Sequence, residues 1–160
     1  MIFLKNNQTS IKDLLTSKLF DENTFYRIFT EDLLKCKEEV IIESPFITSQ
    51  RMSTFSPIFK QLLNQGVKIY IFTRDPKDQG ENLEEQAENE ITNFENMGVH
   101  VLLCTGNHHR KLAILDRKIL WEGSLNILSQ VKSREIMRRM ESEELTLQMF
   151  KFLKLAKFLE

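Results

Sequence analysis

The chain has 160 residues, 41% of them hydrophobic and 28% charged, which suits one globular domain able to bury a core without disulfide or metal staples. A net charge of −1 excludes a protein that coats nucleic acid by bulk charge. The absence of an apolar run near the roughly 18 residues that a span requires excludes a transmembrane helix, and the opening Met1-Ile2-Phe3-Leu4-Lys5 has no signal-like apolar segment, so a cytoplasmic protein is expected.

In chain order, residues 1–9 read as a loose polar lead-in. Ser10 is placed to cap a short helix with Ile11, Leu14, Leu15, Leu19 and Phe20 on its apolar side. A second helix starts at Asn23 or Thr24 and carries Phe25, Ile28, Phe29, Leu33 and Leu34 at helical spacing. Glu39 to Ser44 is a β-branched strand closed by Pro45. Residues 51–65 form a helix stopped by Gly66, and 67–73 form a strand. A helix-glycine-strand crossover of this kind makes the two strands parallel. After a loop at 74–80 comes an amphipathic helix, Glu81 to Met97, then Gly98 and a third strand at 99–104. Strands alternating with helices predict an α/β fold, a mixed and mostly parallel sheet with helices on both faces.

The pattern then changes. Leu112–Leu115 and Ile119–Glu122 are short strands around Asp116-Arg117-Lys118, an antiparallel hairpin in which Asp116 orders the turn. A loop or short helical segment follows Asn126, and a strand begins near Glu135. The remainder, residues 141–160, reads as an amphipathic helix with more apolar surface than one core stripe requires. The whole chain is one domain, 1–160.

Charge is unevenly distributed. Asp78 to Glu95 holds seven acids and no base, whereas His108 to Arg139 holds eight Lys or Arg and three acids. The second stretch could meet a polyanion while the acidic helix faces elsewhere, or both could be ordinary solvated faces. Cys36 and Cys104 read as small core residues in a reducing compartment. Neither they nor His100, His108 and His109 have metal-ligand spacing, so no metal or cofactor is implied.

The chemistry concentrates between His109 and Asn126. Neutral imidazole is a good nucleophile near neutral pH and, once protonated, a general acid. Lys111, two residues along an extended segment, projects to the same side as His109, which suits a phosphate. Ser124 and Asn126 add neutral hydrogen-bonding groups, and Gly123 permits a sharp turn or close approach to a ligand. Taken singly, His-x-Lys is ordinarily a solvated pair and Gly-Ser-x-Asn a turn. Together His109, Lys111, Asp116, Gly123, Ser124 and Asn126 would coincide by chance at roughly one in a million when each type occurs about once in twenty residues, so the set is read as functional. His108 begins no such register, because no Asp lies at the required distance from it.

The spacing H-x-K-x4-D-x6-G-S-x-N resembles the HKD signature of the phospholipase D superfamily at every signature position, and the likeness in element order runs roughly from Phe25 to Phe158. Ser44-Pro45-Phe46 is similar to the strand exit bordering the active site in that superfamily. The resemblance implies a structural Asp116 and metal-independent phosphodiester hydrolysis through a phosphohistidine on His109, with Lys111 and Asn126 holding phosphate oxygens. In compact single-motif members a Glu after Gly-Ser-x-Asn contacts the catalytic His, and Glu135 matches it in kind. The alternative is an exposed Glu135 paired with Arg134 or Arg138. One motif and a compact size are similar to the superfamily's bacterial nucleases, which implies a homodimer with one shared site, acting on nucleic acid, with DNA favoured over RNA. A phospholipid phosphodiesterase, a binding module, or a part of a larger restriction or helicase-type protein are the other readings.

Overall fold

The computed structural model describes residues 16–129 and 132–159. Strands β1 (Lys18–Asp21), β2 (Glu39–Glu43), β3 (Lys68–Arg74), β4 (His100–Cys104), β5 (Leu112–Leu115), β6 (Ile119–Gly123) and β7 (Ile136–Glu141) make one sheet in the order β1-β7-β6-β5-β2-β3-β4. Helices α1 (Phe25–Leu33), α2 (Ser49–Asn64) and α3 (Glu81–Met97) share one apolar layer with one side of the sheet, and α4 (Glu143–Phe152) covers the other side.

Two covered faces explain why the central strands are apolar without alternation. Val40 and Ile42 of β2, with Ile69 and Ile71 of β3, point into the three-helix layer, while Ile41, Tyr70 and Phe72 point under α4. Burying each Val or Ile contributes about 2 kcal/mol relative to leaving it in water. In α1, Phe25, Phe29 and Leu33 recur every four residues as one buried stripe, and Phe25 and Phe29 meet Trp121 of β6 edge-on at 5.1 and 5.9 Å. The same helix carries Asp32, which is buried. Its carboxylate accepts from Trp121 Nε1 at 3.0 Å and from Arg139 Nε at 2.6 Å, tying α1 to β6 and β7. Among the described residues no helix is long and apolar enough to cross a membrane.

The expected helices over 51–65 and 81–97, the strands between them and the hairpin are present. Helices on both faces are also found. The balance of the sheet differs: β2–β3 and β3–β4 are parallel, but the other four pairings are antiparallel. Parallel neighbours need a long crossover, usually a helix. After β4 the chain has no helix for another crossover: it returns through a short loop to the free edge of β2, then proceeds by a three-residue turn and one longer loop.

Two further expectations are corrected. Leu19 and Phe20 do not lie on a helix; they belong to β1, which pairs antiparallel with β7, so ladder pairing overrides the apolar spacing. Residues 1–15 lie outside the described residues. The terminal helix does not run from Glu141 to the end, since Glu141 closes β7 and α4 starts only after Ser142, whose hydroxyl accepts from Leu145 N at 3.2 Å. The helix stops at Phe152, Lys154 takes a left-handed conformation with φ 53°, and a 3-10 turn over Leu155–Lys157 buries Leu155.

Replacing Asp32 with Ala strands the Trp121 indole N–H and the largely buried Arg139 guanidinium. We expect a loss of about 3 kcal/mol, read as a lower urea midpoint with an unchanged slope. A shift under about 1 kcal/mol would show that this network does not hold α1 to the sheet.

Candidate active site

All of the signature's polar side chains except Asp116 collect at one end of the sheet, where β2 and β3 leave, β5 begins, β6 ends and β7 begins. Register makes this so: Glu43 of β2 pairs with Leu112 at the start of β5, which pairs with Glu122 near the end of β6, while Gly123 opposes Met137 of β7. An open groove of about 1020 Å³ lies there, lined by His109, Lys111, Ser124, Asn126 and Glu135 among others.

The segment 108–111 is extended, just ahead of β5, and its side chains alternate. His109 and Lys111 face the groove. His108 and Arg110 both reach Glu43, which is almost fully buried at 1% exposure, and the half-exposed Arg110 also lines the groove. Arg110 Nε donates to Glu43 at 2.7 Å, and His108 Nε2 lies 3.7 Å from the same carboxylate. Burial raises the Glu43 carboxyl above its usual value, against the opposing pull of Arg110. His108 is driven down to about 4 by its own burial and by the cations Arg110 and Arg74, since the charge of Glu43 is already matched by Arg110. Arg74, at the end of β3, fixes this segment by donating Nε and Nη2 to the His108 carbonyl at 3.1 and 2.8 Å.

On the groove side, Lys111 Nζ sits 2.8 Å from His109 Nδ1 and 2.7 Å from the His109 carbonyl oxygen. Lys111 is only 8% exposed, and burial lowers its pKa. Its ammonium, then partial desolvation, then Arg74 hold the His109 imidazole below the usual value, which favours its neutral form. The Phe46 ring meets His109 edge-on at 6.5 Å, so the Ser44-Pro45-Phe46 exit does border the site.

The opposite wall carries Gly123, Ser124, Asn126 and Glu135. Ser44 Oγ accepts from Leu128 N at 3.0 Å, Thr48 N donates to the Leu128 carbonyl at 2.9 Å, and the Tyr26 hydroxyl lies 3.3 Å from the carbonyls of Asn126, Ile127 and Ser129. These contacts set the position of Asn126. Ser124 Oγ and Ser133 Oγ both donate to the Glu135 carboxylate, which lowers its pKa, with a smaller contribution from Lys111. The carboxylate of Glu135 therefore engages Ser124 and Ser133 in this structure rather than His109, Arg134 or Arg138, although it lines the same groove as His109.

Asp116 and Gly123 are structural. Asp116 adopts φ 49° at the hairpin turn, but its carboxylate reaches past the turn to accept the backbone N–H groups of Lys37, Glu38 and Glu39, each at 2.9 Å. It pins the start of β2 rather than the turn it sits in. A Cβ on Gly123 would lie 2.0 Å from the Ile136 carbonyl oxygen, so the glycine allows β6 to approach β7, not a ligand. Sequence reasoning passed over Arg74, Glu43 and Tyr26; only the place of Arg74 at the end of a parallel strand was a usable signal. The seven acids of residues 78–95 stay off the groove. Cys36 is buried, and Cys104 is half-buried on the β4 edge.

Residues 29–154 match the family described as "Cardiolipin synthase, PLD-like domain", and the chain belongs to this phospholipase D-like family. A phospholipase D family member, Nuc from Salmonella typhimurium, shares the fold with a TM-score of 0.69 and 15% identity, over 87% of this chain and 91% of Nuc. NucT from Helicobacter pylori superimposes with a TM-score of 0.70 and 18% identity, over 86% and 92% of the two chains. A phosphatidylserine synthase from Haemophilus influenzae gives 0.68 and 15%, over 88% of this chain but 38% of its own. None of the curated proteins searched is a significant sequence match.

The His109–Lys111 pair makes a titration testable. His109 should titrate by NMR with a midpoint below 6.5, and Lys111→Met should raise that midpoint towards 6.5, because removing the neighbouring cation lowers the cost of the imidazolium. An unchanged or lower midpoint in the variant would show that Lys111 does not hold His109 neutral.

Proposed function

We propose that this groove hydrolyses phosphodiester bonds of nucleic acid, DNA before RNA, without a metal cofactor. The observation that supports it most directly is the His109 imidazole against the Lys111 ammonium, 2.8 Å away, with Ser124 and Asn126 lining the same groove.

His109 attacks phosphorus, forming an N–P bond as the P–O bond to the leaving group breaks. Lys111 and Asn126 hold the non-bridging oxygens as charge builds on them. Ser124 supports that shell, and Glu135 is a positioning residue that reaches it through Ser124. The departing oxygen needs a proton from the side opposite His109, which one imidazole cannot supply to itself. His100 stacks on Tyr70 at 4.9 Å in the β4–β3 region, and His108 faces Glu43. The proton therefore comes from His109 of the partner subunit across a twofold axis, which enters as the imidazolium while the attacking His109 is neutral. Water then attacks the phosphohistidine, giving its proton to the partner's His109, and both imidazoles return to their starting state. Exposed Leu19, Ile136 and Phe152 beside the groove offer apolar area to such a second copy. The domain would work alone as this dimer or within a larger restriction or helicase-type protein, on the cytoplasmic side of the membrane.

The same apolar wall favours one second reading, a phospholipid phosphodiester whose acyl chains lie along Leu19, Ile136 and Phe152. Parallel incubation with plasmid and with phosphatidylcholine vesicles separates the two.

His109→Ala should lower plasmid cleavage by about a thousandfold or more, whereas His108→Ala should stay within about tenfold of wild type wherever it is folded. Chelator should change neither rate. Equal losses in the two folded variants, or magnesium-dependent recovery after chelation, would refute the assignment. For the shared site, a purified heterodimer of wild-type and His109→Ala chains should be almost inactive. Half the wild-type rate would mean independent sites.

A further inference from the structure

We propose that a second cavity adjoining the groove binds the phosphate next to the scissile one, with Arg51 as its anchor. This subsite rests on the nucleic-acid reading above and extends it to a second backbone phosphate. The cavity is about 220 Å³ and shares Asn126 and Glu135 with the groove; Tyr26, Arg51, Ser129 and Lys132 complete the part that matters here. At about 30 Å³ per water its volume equals roughly seven waters, too much for a single structural water.

Two buried side-chain donors on its lining residues, Arg51 Nε and Ser129 Oγ, have no hydrogen-bond partner among the described residues; Asn126 Oδ1, also unpaired, is an acceptor that a phosphate does not complete. Ser129 is only 3% exposed. Buried polar groups are normally paired, so orphans gathered round one cavity point to contents that complete them. The unpaired donors indicate the sign, since in charge the two acids of the lining, Glu22 and Glu135, balance Arg51 and Lys132: Glu22 accepts from Glu135 N at 2.9 Å, and Glu135 accepts from Ser124 and Ser133. No ion pair engages Arg51 or Lys132 among the described residues.

Arg51 is also held in place. Its guanidinium carbon lies 3.4 Å from the centre of the Tyr26 ring, a stacked arrangement that leaves the N–H edge of the fork for an oxyanion. The Tyr26 hydroxyl in turn lies against the Asn126, Ile127 and Ser129 carbonyls, and burial pushes its pKa up to about 12, so it stays protonated and neutral beside the anion. One tyrosine thus places both Asn126, for the scissile phosphate, and Arg51, for its neighbour.

The test uses a fluorescent thymidine trinucleotide, which has two phosphodiesters, and two analogues in which one or the other is a neutral methylphosphonate. Binding is measured by anisotropy to full-length protein carrying His109→Asn, so that ligand survives, with and without Arg51→Gln. We expect Arg51→Gln to weaken the trinucleotide about tenfold and to abolish the penalty for a methylphosphonate at one position only. Arg51→Lys should keep part of that penalty, and Ser129→Ala, measured in the same way, stands in if Arg51→Gln does not fold. Equal weakening of all three ligands would mean that Arg51 only supports the fold. No change would mean a water-filled cavity only, and no binding of the trinucleotide would equally overturn the subsite. Hydrolysis of bis(p-nitrophenyl) phosphate by protein with His109 intact reports on the groove alone. Its absence would sink the catalytic reading while the binding comparison still decides the subsite.

Discussion

The buried carboxylate of Glu43 is the constraint on which the site depends. A charge at 1% exposure is tolerated only when paired, and its partner Arg110 lies one residue before Lys111. With Arg110 and His108 both held at that carboxylate, alternation along the segment sets His109 and Lys111 together on the other side of the chain. Removing either partner would leave the other charge uncompensated, so the pair specifies orientation more than it adds net stability. The direction of the His109 side chain is thus decided by a carboxylate it does not touch.

The same economy runs through the rest of the molecule. Asp116 joins the hairpin to the start of β2, Asp32 joins α1 to β6 and β7, and Tyr26 joins α1 to the loop that carries Asn126. Each is one polar side chain bridging segments far apart in sequence, and each satisfies groups that would otherwise be left unpaired inside the protein.

Much of the architecture was legible because hydrophobic period reports burial. Residues 51–104 read correctly as helix, strand, helix and strand, with Gly66 and Gly98 marking the stops. What failed were the places where a long-range partner decides. Leu19 and Phe20 fit a helical stripe equally well and became a strand because β7 offered a ladder. Apolar residues on both sides of Lys154 looked like one helix, but the chain turns there to bury Leu155. The proportion of parallel pairing was misjudged because alternation of helices and strands ends at β4. In the site, His109, Lys111, Ser124 and Asn126 were visible as a spaced pattern, whereas Glu43, Tyr26 and Arg51 carry no local signature and Arg74 only its place at a strand end. The roles of Glu43, Arg74 and Tyr26 come from contacts spanning between 34 and 103 positions, which no local pattern encodes.

Gly123 and Asp116 belong to the signature for their backbone roles, the first at the rim of the groove and the second away from it. The glycine is required because any side chain would strike the Ile136 carbonyl, and the aspartate because three amides converge on it. The six-residue pattern therefore records two histories in one string. A descendant of this chain that gave up chemistry could let His109, Lys111 and Asn126 drift at little structural cost, yet would still need the Asp and the Gly to keep its sheet. In such a lineage the motif would erode unevenly, and the surviving D-x6-G would be the fossil of a fold rather than of an enzyme.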